Sequence, residues 1–384
     1  MKREEEYKGF EDGPIRPPSE ADSLLLRVTR NCPWNKCKFC SLYKGEKFSV
    51  RPVDHVIRDI DLVKRLCDEI HSALHLPDEQ KRKKLNDLQA PLDENEWMAF
   101  QSAKNWVRDG MRSIFLQDAN SLIIKPDYLV NILEYLIETF PQVERITSYA
   151  RSSSIARTSD DDMARIANAG LNRIHIGMES ASDEVLDFVR KGVGKDTHII
   201  AGQKIKRAGI ELSEYYMPGL GGERLSKANA LETADALNRI DPDFIRIRTL
   251  VIPHGTELFT DMQTGRFKKT GDIETARELL LFLDALEGIT STVKSDHIIN
   301  LFEEVEGRLP EDKDYMKAPI KEFLDMDPLL QVLYITGRRT GSFRRLDDMK
   351  DPIRYKRAEN TRVSRNLTVH NVDDFTAGIV TRYI

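Results

Sequence analysis

Short, apolar, β-prone runs recur along the first two-thirds of the chain. After the first run, the next five begin about 30 to 40 residues apart. Amphipathic stretches such as PDYLVNILEYLIETF and SKANALETADALNRI lie between them. Short strands that alternate with amphipathic helices are typical of repeated βα units around a parallel sheet. We therefore predict strands at 23–29, 112–118, 144–150, 173–179, 211–217 and 243–249.

This pattern divides the chain into three regions. Residues 1–21 are charged and contain prolines, which is typical of an extended arm. Residues 22–255 accommodate six βα units, and we interpret 77–109 within them as a charged helical insertion, either a surface excursion or a lid. After residue 256 the strand rhythm stops, and 256–384 is predicted to be mainly helical with a basic tail.

Composition and charge narrow the class of protein. The 384 residues are 40% hydrophobic and 32% charged, with a formal net charge of −5, which argues against a general nucleic-acid coat. The tail Arg338–Arg365 still holds ten Lys or Arg against four acids, so it is either a solvated surface or a groove for an anionic partner. No apolar signal segment and no run of about 18 apolar residues occurs, so we expect a cytoplasmic protein without membrane contact.

The cysteines are the main chemical signal. Cys32, Cys37 and Cys40 fall within nine residues, directly after the first predicted strand. In a cytosolic chain such clustering is typical of metal or redox chemistry. A structural zinc site needs four protein ligands, and the remaining candidate is His55, in the first turns of a predicted helix. Three thiolates on a four-iron cluster leave one iron open for a substrate or cofactor. Cys67 lies on an apolar helical stripe, which predicts a buried structural thiol.

The cysteine loop resembles that of the radical S-adenosylmethionine superfamily. The usual signature there is C-x3-C-x2-C after the first strand, with an aromatic residue before the last cysteine. Here Phe39 precedes Cys40, and the first gap is one residue longer. At the fourth strand, IHIGMESASDEVL resembles the G-x-E-S-x-x-D-x-x-L pattern of the branch that includes oxygen-independent coproporphyrinogen oxidase, elongator-type and methylthiotransferase enzymes. The resemblance covers about 22–255.

This resemblance implies a fold and a set of site residues. The implied fold class is α/β, a partial (β/α)6 TIM-like barrel of parallel strands with a mainly helical C-terminal extension. Asp118 would accept from the methionine ammonium group, unless it caps the following helix, and Glu179 would bind the ribose or methionine end. The implied metal ligands are Cys32, Cys37 and Cys40, and the implied cofactor-binding residues are Phe39, Gln117, Asp118, Ser148, Arg151, Glu179 and Gly219.

The resemblance also implies a reaction. A [4Fe–4S] cluster would reductively cleave S-adenosylmethionine to a 5′-deoxyadenosyl radical, which abstracts hydrogen from an unidentified, anionic substrate. A one-electron reductant of the flavodoxin or ferredoxin type would be the partner. Two alternatives stay open: an RNA-modifying enzyme of the same chemistry that docks RNA through the basic tail, and a non-enzymatic structural zinc protein.

Two further pairs of residues are candidates. Arg246 and Arg248 are two apart on the sixth predicted strand, so they share a face, and an inward arginine would hold a carboxylate. His297 and Asn300 follow a later stretch, STVKSDHI, that is itself a candidate strand. They either reach the site or cap a helix.

Overall fold

The structure is a computed structural model that describes residues 5–380. Its strands are mostly parallel and alternate with helices, so the predicted α/β fold is confirmed. The described residues fall into two units. The first unit holds the described part of Met1–Pro33 with Gly45–His175 and Lys204–Glu211; the second holds Trp34–Lys44, Ile176–Gln203 and the described part of Leu212–Ile384.

The first unit carries the first three predicted strands as parallel neighbours. The strand order is β1-β4-β5-β6, and Leu24 pairs with Ile114 while Ser113 pairs with Arg145. A short antiparallel pair, β2 with β3, follows β1. The elements are β1 (Leu24–Arg27), β2 (Thr29–Arg30), β3 (Ser49–Val50), α1 (Val53–Leu74), α2 (Asp78–Gln89), α3 (Glu94–Arg108), β4 (Ser113–Gln117), α4 (Pro126–Thr139), β5 (Arg145–Ala150), α5 (Ser152–Arg157), α6 (Asp160–Asn168) and the start of β6 (Leu171–Glu179).

The segment predicted as a charged insertion forms two helices, α2 and α3, that differ in burial. Helix α2 buries none of its residues, because its sequence is almost entirely polar. Helix α3 instead buries Phe100 and Trp106. Its N-cap residue is Asp93, whose side chain accepts a hydrogen bond from the backbone of Glu96. Helix α3 is therefore part of the core of the first unit, whereas α2 lies on its surface.

Helix α1 explains the isolated fourth cysteine. Its apolar residues recur every three to four positions, which is the spacing of one buried helix face. Cys67 lies on that face with no exposed surface, and burial raises the pKa of its thiol to about 12. The prediction of a buried structural thiol is confirmed. His55 is also buried on α1 and packs edge-on against Tyr7, with ring centroids 5.4 Å apart.

The second unit carries the later strands, in the order β6-β7-β8-β9-β10. Strands β7, β8 and β9 pair in parallel, and β10 pairs antiparallel with β9. The end of β6 is followed by α7 (Asp183–Phe188), α8 (Lys195–Arg207), β7 (Glu211–Tyr216), α9 (Gly222–Ile240), β8 (Phe244–Ile247), α10 (Glu257–Gln263), α11 (Asp272–Ala285), β9 (Thr292–Lys294), β10 (Gly307–Arg308), α12 (Lys313–Asp325), α13 (Pro328–Arg339), α14 (Pro352–Ser364) and α15 (Val372–Val380).

The basic tail is not one surface. Arg338 and Arg339, at the end of α13, are buried and form ion pairs with Glu303 and Asp272 respectively. These two arginines therefore belong to the core of the second unit, while α14 carries exposed cations. No helix among the described residues is long and apolar enough to cross a membrane.

Candidate functional site

In the first unit, the approach to Cys32 is fixed by local hydrogen bonds. Asn31, directly before it, has a left-handed backbone with φ of 68°. Its side-chain amide donates to the carbonyl of Lys47 at 2.8 Å, and its side-chain oxygen accepts from Arg27 Nη2 at 3.2 Å. A side chain that can bond its surroundings makes this backbone conformation acceptable for asparagine. The entry of the chain into the cysteine loop is thus held from β1.

Asp118, the residue after β4, is fully buried and also has a positive φ, of 69°. Its Oδ2 accepts from Arg27 Nε at 2.6 Å, a short charge-assisted bond. The 3₁₀ turn that follows begins after Asn120, which occupies the N-cap position. The capping alternative for Asp118 therefore finds no support, and its contact with the methionine group stays a prediction.

Gln117, the last residue of β4, lies against the N-terminal arm. Its Oε1 accepts from the backbone of Gly13 at 2.8 Å, and its Nε2 donates to the carbonyl of the same residue at 3.0 Å. Both ends of the amide are used in this contact. The predicted role in cofactor binding is untested, and what Gln117 does in this structure is to fasten the arm to the strand.

Ser148 and Arg151 lie at the end of β5. Ser148 is buried and its hydroxyl donates to the backbone carbonyl of Tyr149 at 3.0 Å. The backbone of Arg151 donates to Asn120 Oδ1 at 3.0 Å, and the Asn120 amide donates to Ser154 Oγ at 2.8 Å. Asn120, which the sequence did not single out for this purpose, therefore joins the segments that follow β4 and β5. The cofactor contacts of Ser148 and Arg151 stay predictions.

In the second unit, the loop with Cys37, Phe39 and Cys40 is anchored at Lys38. The Lys38 amide donates to the carbonyl of Val189 at 2.9 Å, and its carbonyl accepts from the amide of Leu258 at 3.0 Å. Its ammonium pairs with Asp261 at 2.8 Å and lies 4.3 Å from the ring centroid of Phe188. Cys37 is buried, Cys40 is partly exposed, and Phe39 packs on the apolar cluster around α7 and α10. One lysine between two cysteines thus fixes the loop on three sides.

Trp34 adds a second anchor for the same loop. Its indole Nε1 donates to the carbonyl of Arg190 at 2.8 Å. The ring lies directly over Gly192, where a Cβ atom would stand 2.2 Å from the ring edge. Only glycine fits under the indole, and its positive φ of 72° also favours glycine. No signal in the sequence marks the loop 189–192 as the contact surface of the cysteine loop.

Glu179, at the end of β6, forms an ion pair that the sequence did not reveal. Its Oε1 lies 3.3 Å from Lys191 Nζ, and its backbone φ of 67° is left-handed. Gly177 makes room for the pair, because a Cβ atom there would stand 2.4 Å from Glu179 Oε1. Lys191 Nζ also lies 5.8 Å from the ring centroid of Phe39. Strained residues that persist at strand ends cluster at functional sites, which favours Glu179 as a site residue.

Gly219, in the segment after β7, is held by a buried glutamate. Its amide donates to Glu278 Oε1 at 3.0 Å, and its φ of +87° suits glycine. Glu278 lies on α11 and accepts three more hydrogen bonds, from Tyr216 Oη, Ser226 Oγ and Asn229 Nδ2. Sequence reasoning missed Glu278, since a glutamate in TARELLLFLDAL has the pattern of any amphipathic helix.

The two arginines of the sixth predicted strand separate. Arg246 is buried on β8, donates to Ser213 Oγ at 3.2 Å and pairs with Asp296. Arg248 lies past the end of β8 and is exposed. The shared face predicted for the two is therefore wrong, because the strand ends at Ile247.

His297 and Asn300 are mainly structural. Burial, with the nearby Arg248, lowers the pKa of His297 to about 4, so its ring is neutral near pH 7. Its Nδ1 accepts from the amide of Ile299 at 3.3 Å. Asn300 is buried and donates to the carbonyl of Ile247 at 2.7 Å. The side-chain oxygen and amide of Asn300 are thus both used within the second unit, and a role in the site stays a prediction for both residues.

The donor set of the cysteine loop fits a cluster with three thiolate ligands. No disulfide joins the four cysteines, all of which lie in the described part of the chain. Cys67 is kept as a thiol by burial, so Cys32, Cys37 and Cys40 are the three available thiols. Among residues 5–380, no three His, Cys, Asp or Glu side chains converge as a ready-made metal site. The fit to such a cluster therefore rests on the number and type of donors and on the anchoring of their loop.

A family model described as the Radical SAM superfamily matches residues 26–234, which is more than half of the chain. The matched region includes the three clustered cysteines and the residues at the ends of β4, β5, β6 and β7.

The curated relatives match over shorter segments. Two tRNA uridine(34) acetyltransferases, from Methanocaldococcus infernus and Methanocaldococcus jannaschii, are 26% identical over 111 residues and 24% identical over 132 residues. These segments cover 29% and 33% of this chain, and 21% and 24% of the relatives. The chain thus spans a quarter or less of their length. Among solved structures, coproporphyrinogen III oxidase from Escherichia coli is 13% identical, with a TM-score of 0.43 over 68% of this chain and 52% of that chain. A TM-score of that size supports no further argument.

Proposed function

The chain belongs to the Radical SAM superfamily, and on that premise we propose that it abstracts hydrogen from an anionic substrate, with Cys32, Cys37 and Cys40 as ligands of its cluster. The protein is a radical SAM enzyme, and its cofactors are a [4Fe–4S] cluster and S-adenosylmethionine. The observation that carries the residue assignment is the donor set: three clustered thiols on an anchored loop inside the matched region, with the fourth thiol buried elsewhere.

The chemistry supplied when both cofactors are bound is one-electron cleavage of S-adenosylmethionine and hydrogen abstraction by the resulting 5′-deoxyadenosyl radical. The role of the protein is to hold the two cofactors in place and to shield the radical. Lys38 and Trp34 fix the loop of Cys37 and Cys40 on the loop 189–192. Glu179, oriented by Lys191, is proposed to bind the ribose or methionine end of the cofactor. A one-electron reductant of the flavodoxin or ferredoxin type is the proposed partner.

The segment that carries Gly219 is proposed to pass close to the adenine. Glu278 holds the amide of this glycine from α11, so the position of the segment depends on a residue far along the chain. Asp118, with its carboxylate oriented by Arg27, is proposed to meet the methionine ammonium group.

The test is anaerobic reconstitution with iron and sulfide, followed by reduction in the presence of S-adenosylmethionine. We expect about four irons per chain and release of 5′-deoxyadenosine. Cys37→Ala should lose both, and Cys67→Ala is the matched control, since it removes a buried thiol on α1 and should keep both. Zinc in place of iron, or 5′-deoxyadenosine from Cys37→Ala, contradicts the assignment.

A second candidate function is modification of RNA by the same chemistry. Two curated relatives are named as tRNA uridine(34) acetyltransferases. On α14, Lys356 and Arg357 are both exposed and available to a polyanion. Deletion of the tail is a poor test, because Arg338 and Arg339 are buried.

The sharper test is charge reversal. Lys356→Glu with Arg357→Glu should weaken binding of transfer RNA and reduce its dependence on salt, since each phosphate contact releases counterions. Arg82→Glu with Lys83→Glu on the exposed helix α2 is the matched control. Equal binding by both double variants, or binding insensitive to salt, counts against RNA docking on α14.

A further inference from the structure

A small cavity lies within the second unit, beside the segments that follow β7 and β8. Pro218 and Gly219 line it from the first segment and Leu250 from the second, with further walls from α11, α13 and α15. In open α/β folds, ligands bind next to the carboxyl ends of parallel strands. The cavity is therefore in the part of the second unit where a ligand is expected, although none of the residues of the cysteine loop line it.

Lys269 is the unusual residue of this cavity. It is partly buried and lines the cavity, yet within residues 5–380 its ammonium makes no hydrogen bond and no ion pair. Burial lowers the pKa of Lys269, and Arg339 acts in the same direction, while Asp272 and Asp373 oppose them. Buried charges in proteins are almost always paired, because an unpaired charge loses hydration without compensation.

The two nearby carboxylates, Asp272 and Asp373, have other contacts. Asp272 accepts from Arg339 Nε at 3.0 Å and from its Nη2, which forms the bidentate fork typical of arginine. Asp373 Oδ1 accepts from the amide of Asp272 at 2.9 Å. Burial raises the pKa of Asp373, whereas the hydrogen bond from the backbone of Asp272 and the nearby Lys269 oppose that rise. Among the described residues, Asp272 and Asp373 thus act on the ammonium of Lys269 only from beyond hydrogen-bond and ion-pair distance.

Hydroxyl groups complete one wall. Thr275 Oγ1 donates to the carbonyl of Gly271 at 2.8 Å and lies 3.1 Å from Thr270 Oγ1. Thr270 therefore donates to Thr275, since the proton of Thr275 is already used. The arrangement leaves the ammonium of Lys269 as the main donor for an incoming group.

The size of the cavity limits what it can take. It leaves about 20 Å³ for a solvent-sized group, enough for one or two water-sized groups. That space admits one or two oxygen atoms of an anionic group and excludes a ring. Accessibility distinguishes Lys269 from Glu214, whose two carboxyl oxygens have no hydrogen-bond partner among the described residues. Glu214 has no exposed surface at all, so no ligand reaches it.

We propose that Lys269 marks an anion subsite that holds a carboxylate or phosphate group of the substrate beside the ends of β7 and β8. The assignment to the substrate rests on the proposed function, which requires an anionic substrate. The subsite itself stands on the cavity, on the ammonium that makes no hydrogen bond or ion pair among the described residues, and on the engagement of Asp272 by Arg339.

The test measures the melting temperature of the cluster-loaded protein in phosphate, in acetate and in chloride at constant ionic strength. Phosphate and acetate distinguish the two sources of the anionic group. We expect one of them to raise the melting temperature by about 2 °C or more over chloride. Lys269→Met should abolish this rise. Lys268→Met is the matched control, because Lys268 is adjacent but exposed and pairs with Glu223 at 2.8 Å.

A second measurement guards against a variant that fails to fold. The protein is prepared with lysine labelled at the ε position, and its ammonium groups are followed by NMR. The signal that disappears in Lys268→Met belongs to Lys268, and the one that disappears in Lys269→Met belongs to Lys269. The Lys269 signal should shift on addition of the effective anion, and the Lys268 signal should not. No rise in melting temperature with either anion in the wild type overturns the subsite. An equal rise in Lys269→Met also overturns it, because the anion then binds without Lys269.

The outcome is independent of the radical chemistry. A wild-type protein that shows the Lys269-dependent rise but releases no 5′-deoxyadenosine retains the anion subsite and loses the proposed function. A protein that releases 5′-deoxyadenosine and shows no such rise retains the function and loses the subsite.

Discussion

Glu278 and Glu214 are two buried carboxyl groups of the second unit with opposite surroundings. Glu214 lies in the middle of β7, and neither of its carboxyl oxygens has a hydrogen-bond partner among the described residues. Glu278 lies on α11, next to the end of the same strand, and is saturated. It accepts from Tyr216 Oη at 2.9 Å, Gly219 N at 3.0 Å, Asn229 Nδ2 at 2.7 Å and Ser226 Oγ at 2.5 Å.

The comparison shows that burial alone does not tell what a carboxyl group does. Burial raises the pKa of both groups and is the largest influence on each. Four hydrogen bonds oppose that rise at Glu278, because donors stabilise the carboxylate. At Glu214 only Lys191 opposes it, and the carboxylate of Glu179 raises the pKa further. Glu278 therefore stabilises its surroundings, whereas Glu214 costs stability.

The largest expected effect is at Glu278. Glu278→Ala leaves three buried donors and the partly buried hydroxyl of Ser226 without this acceptor, and each unsatisfied buried group costs on the order of 1 to 3 kcal/mol. Partial relaxation reduces the sum, so we expect a loss of about 3 kcal/mol or more in the free energy of unfolding, measured by urea denaturation.

Glu274→Ala is the matched control for this change. Glu274 lies one turn earlier on α11, is exposed and pairs with Arg277, so its loss should cost less than about 0.5 kcal/mol. Equal losses for the two variants would mean that the four contacts of Glu278 contribute no more than a surface ion pair.

The strands around these glutamates were predictable, and the partners of the glutamates were not. The runs 211–217 and 243–249 contain β7 (Glu211–Tyr216) and β8 (Phe244–Ile247), because apolar, β-prone runs that alternate with helices leave few other structures. Glu214 in ELSEYYM and Glu278 in TARELLLFLDAL look like solvent-facing residues of their elements. Which glutamate is satisfied depends on donors supplied by α9 and by the segment after β7, and no local pattern encodes that.

The candidate site likewise contains residues that the sequence reveals and residues that only the folded structure reveals. Cys32, Cys37 and Cys40 could be predicted as ligands because three thiols at close spacing have few other uses. Lys191 and Gly192 were not identifiable, since RKGVGK reads as a solvated loop. Their importance comes from the contact of Lys191 with Glu179, at the end of the preceding strand, and from that of Gly192 with Trp34, which is far away in sequence.

The second prediction concerns the pH dependence of stability at Glu214. Its pKa is raised well above the ordinary value of 4.5 in the folded protein. The stability that is linked to Glu214 is therefore fully present below pH 4.5. It is lost as the pH rises towards the pKa of Glu214 in the folded protein. Glu214→Gln has no proton to lose. The difference in the free energy of unfolding should grow in favour of the variant with rising pH, by about 1 to 3 kcal/mol.

The measurement is urea denaturation of both proteins across the pH range in which they stay folded. Taking the difference removes the other groups that titrate in both chains. Glu214→Leu should show the same trend, because leucine also lacks an ionisable group. A difference that stays constant with pH would show that Glu214 ionises as it does in an unfolded chain, and the contrast with Glu278 would then vanish.

The smallest expected effect is at Tyr216, which donates one of the four hydrogen bonds to Glu278. Tyr216→Phe keeps the ring stacked on Phe282, whose centroid is 4.0 Å away, and removes only the hydroxyl. Glu278 keeps three donors, so the cost should be about 1 kcal/mol. In the Glu278→Ala background the hydroxyl has no acceptor left, and the same substitution should cost nothing or even stabilise. A double-mutant cycle therefore isolates this single hydrogen bond. If Tyr216→Phe costs the same in both backgrounds, its hydroxyl acts through something other than Glu278, and the saturation of that carboxylate is less complete than its four contacts indicate.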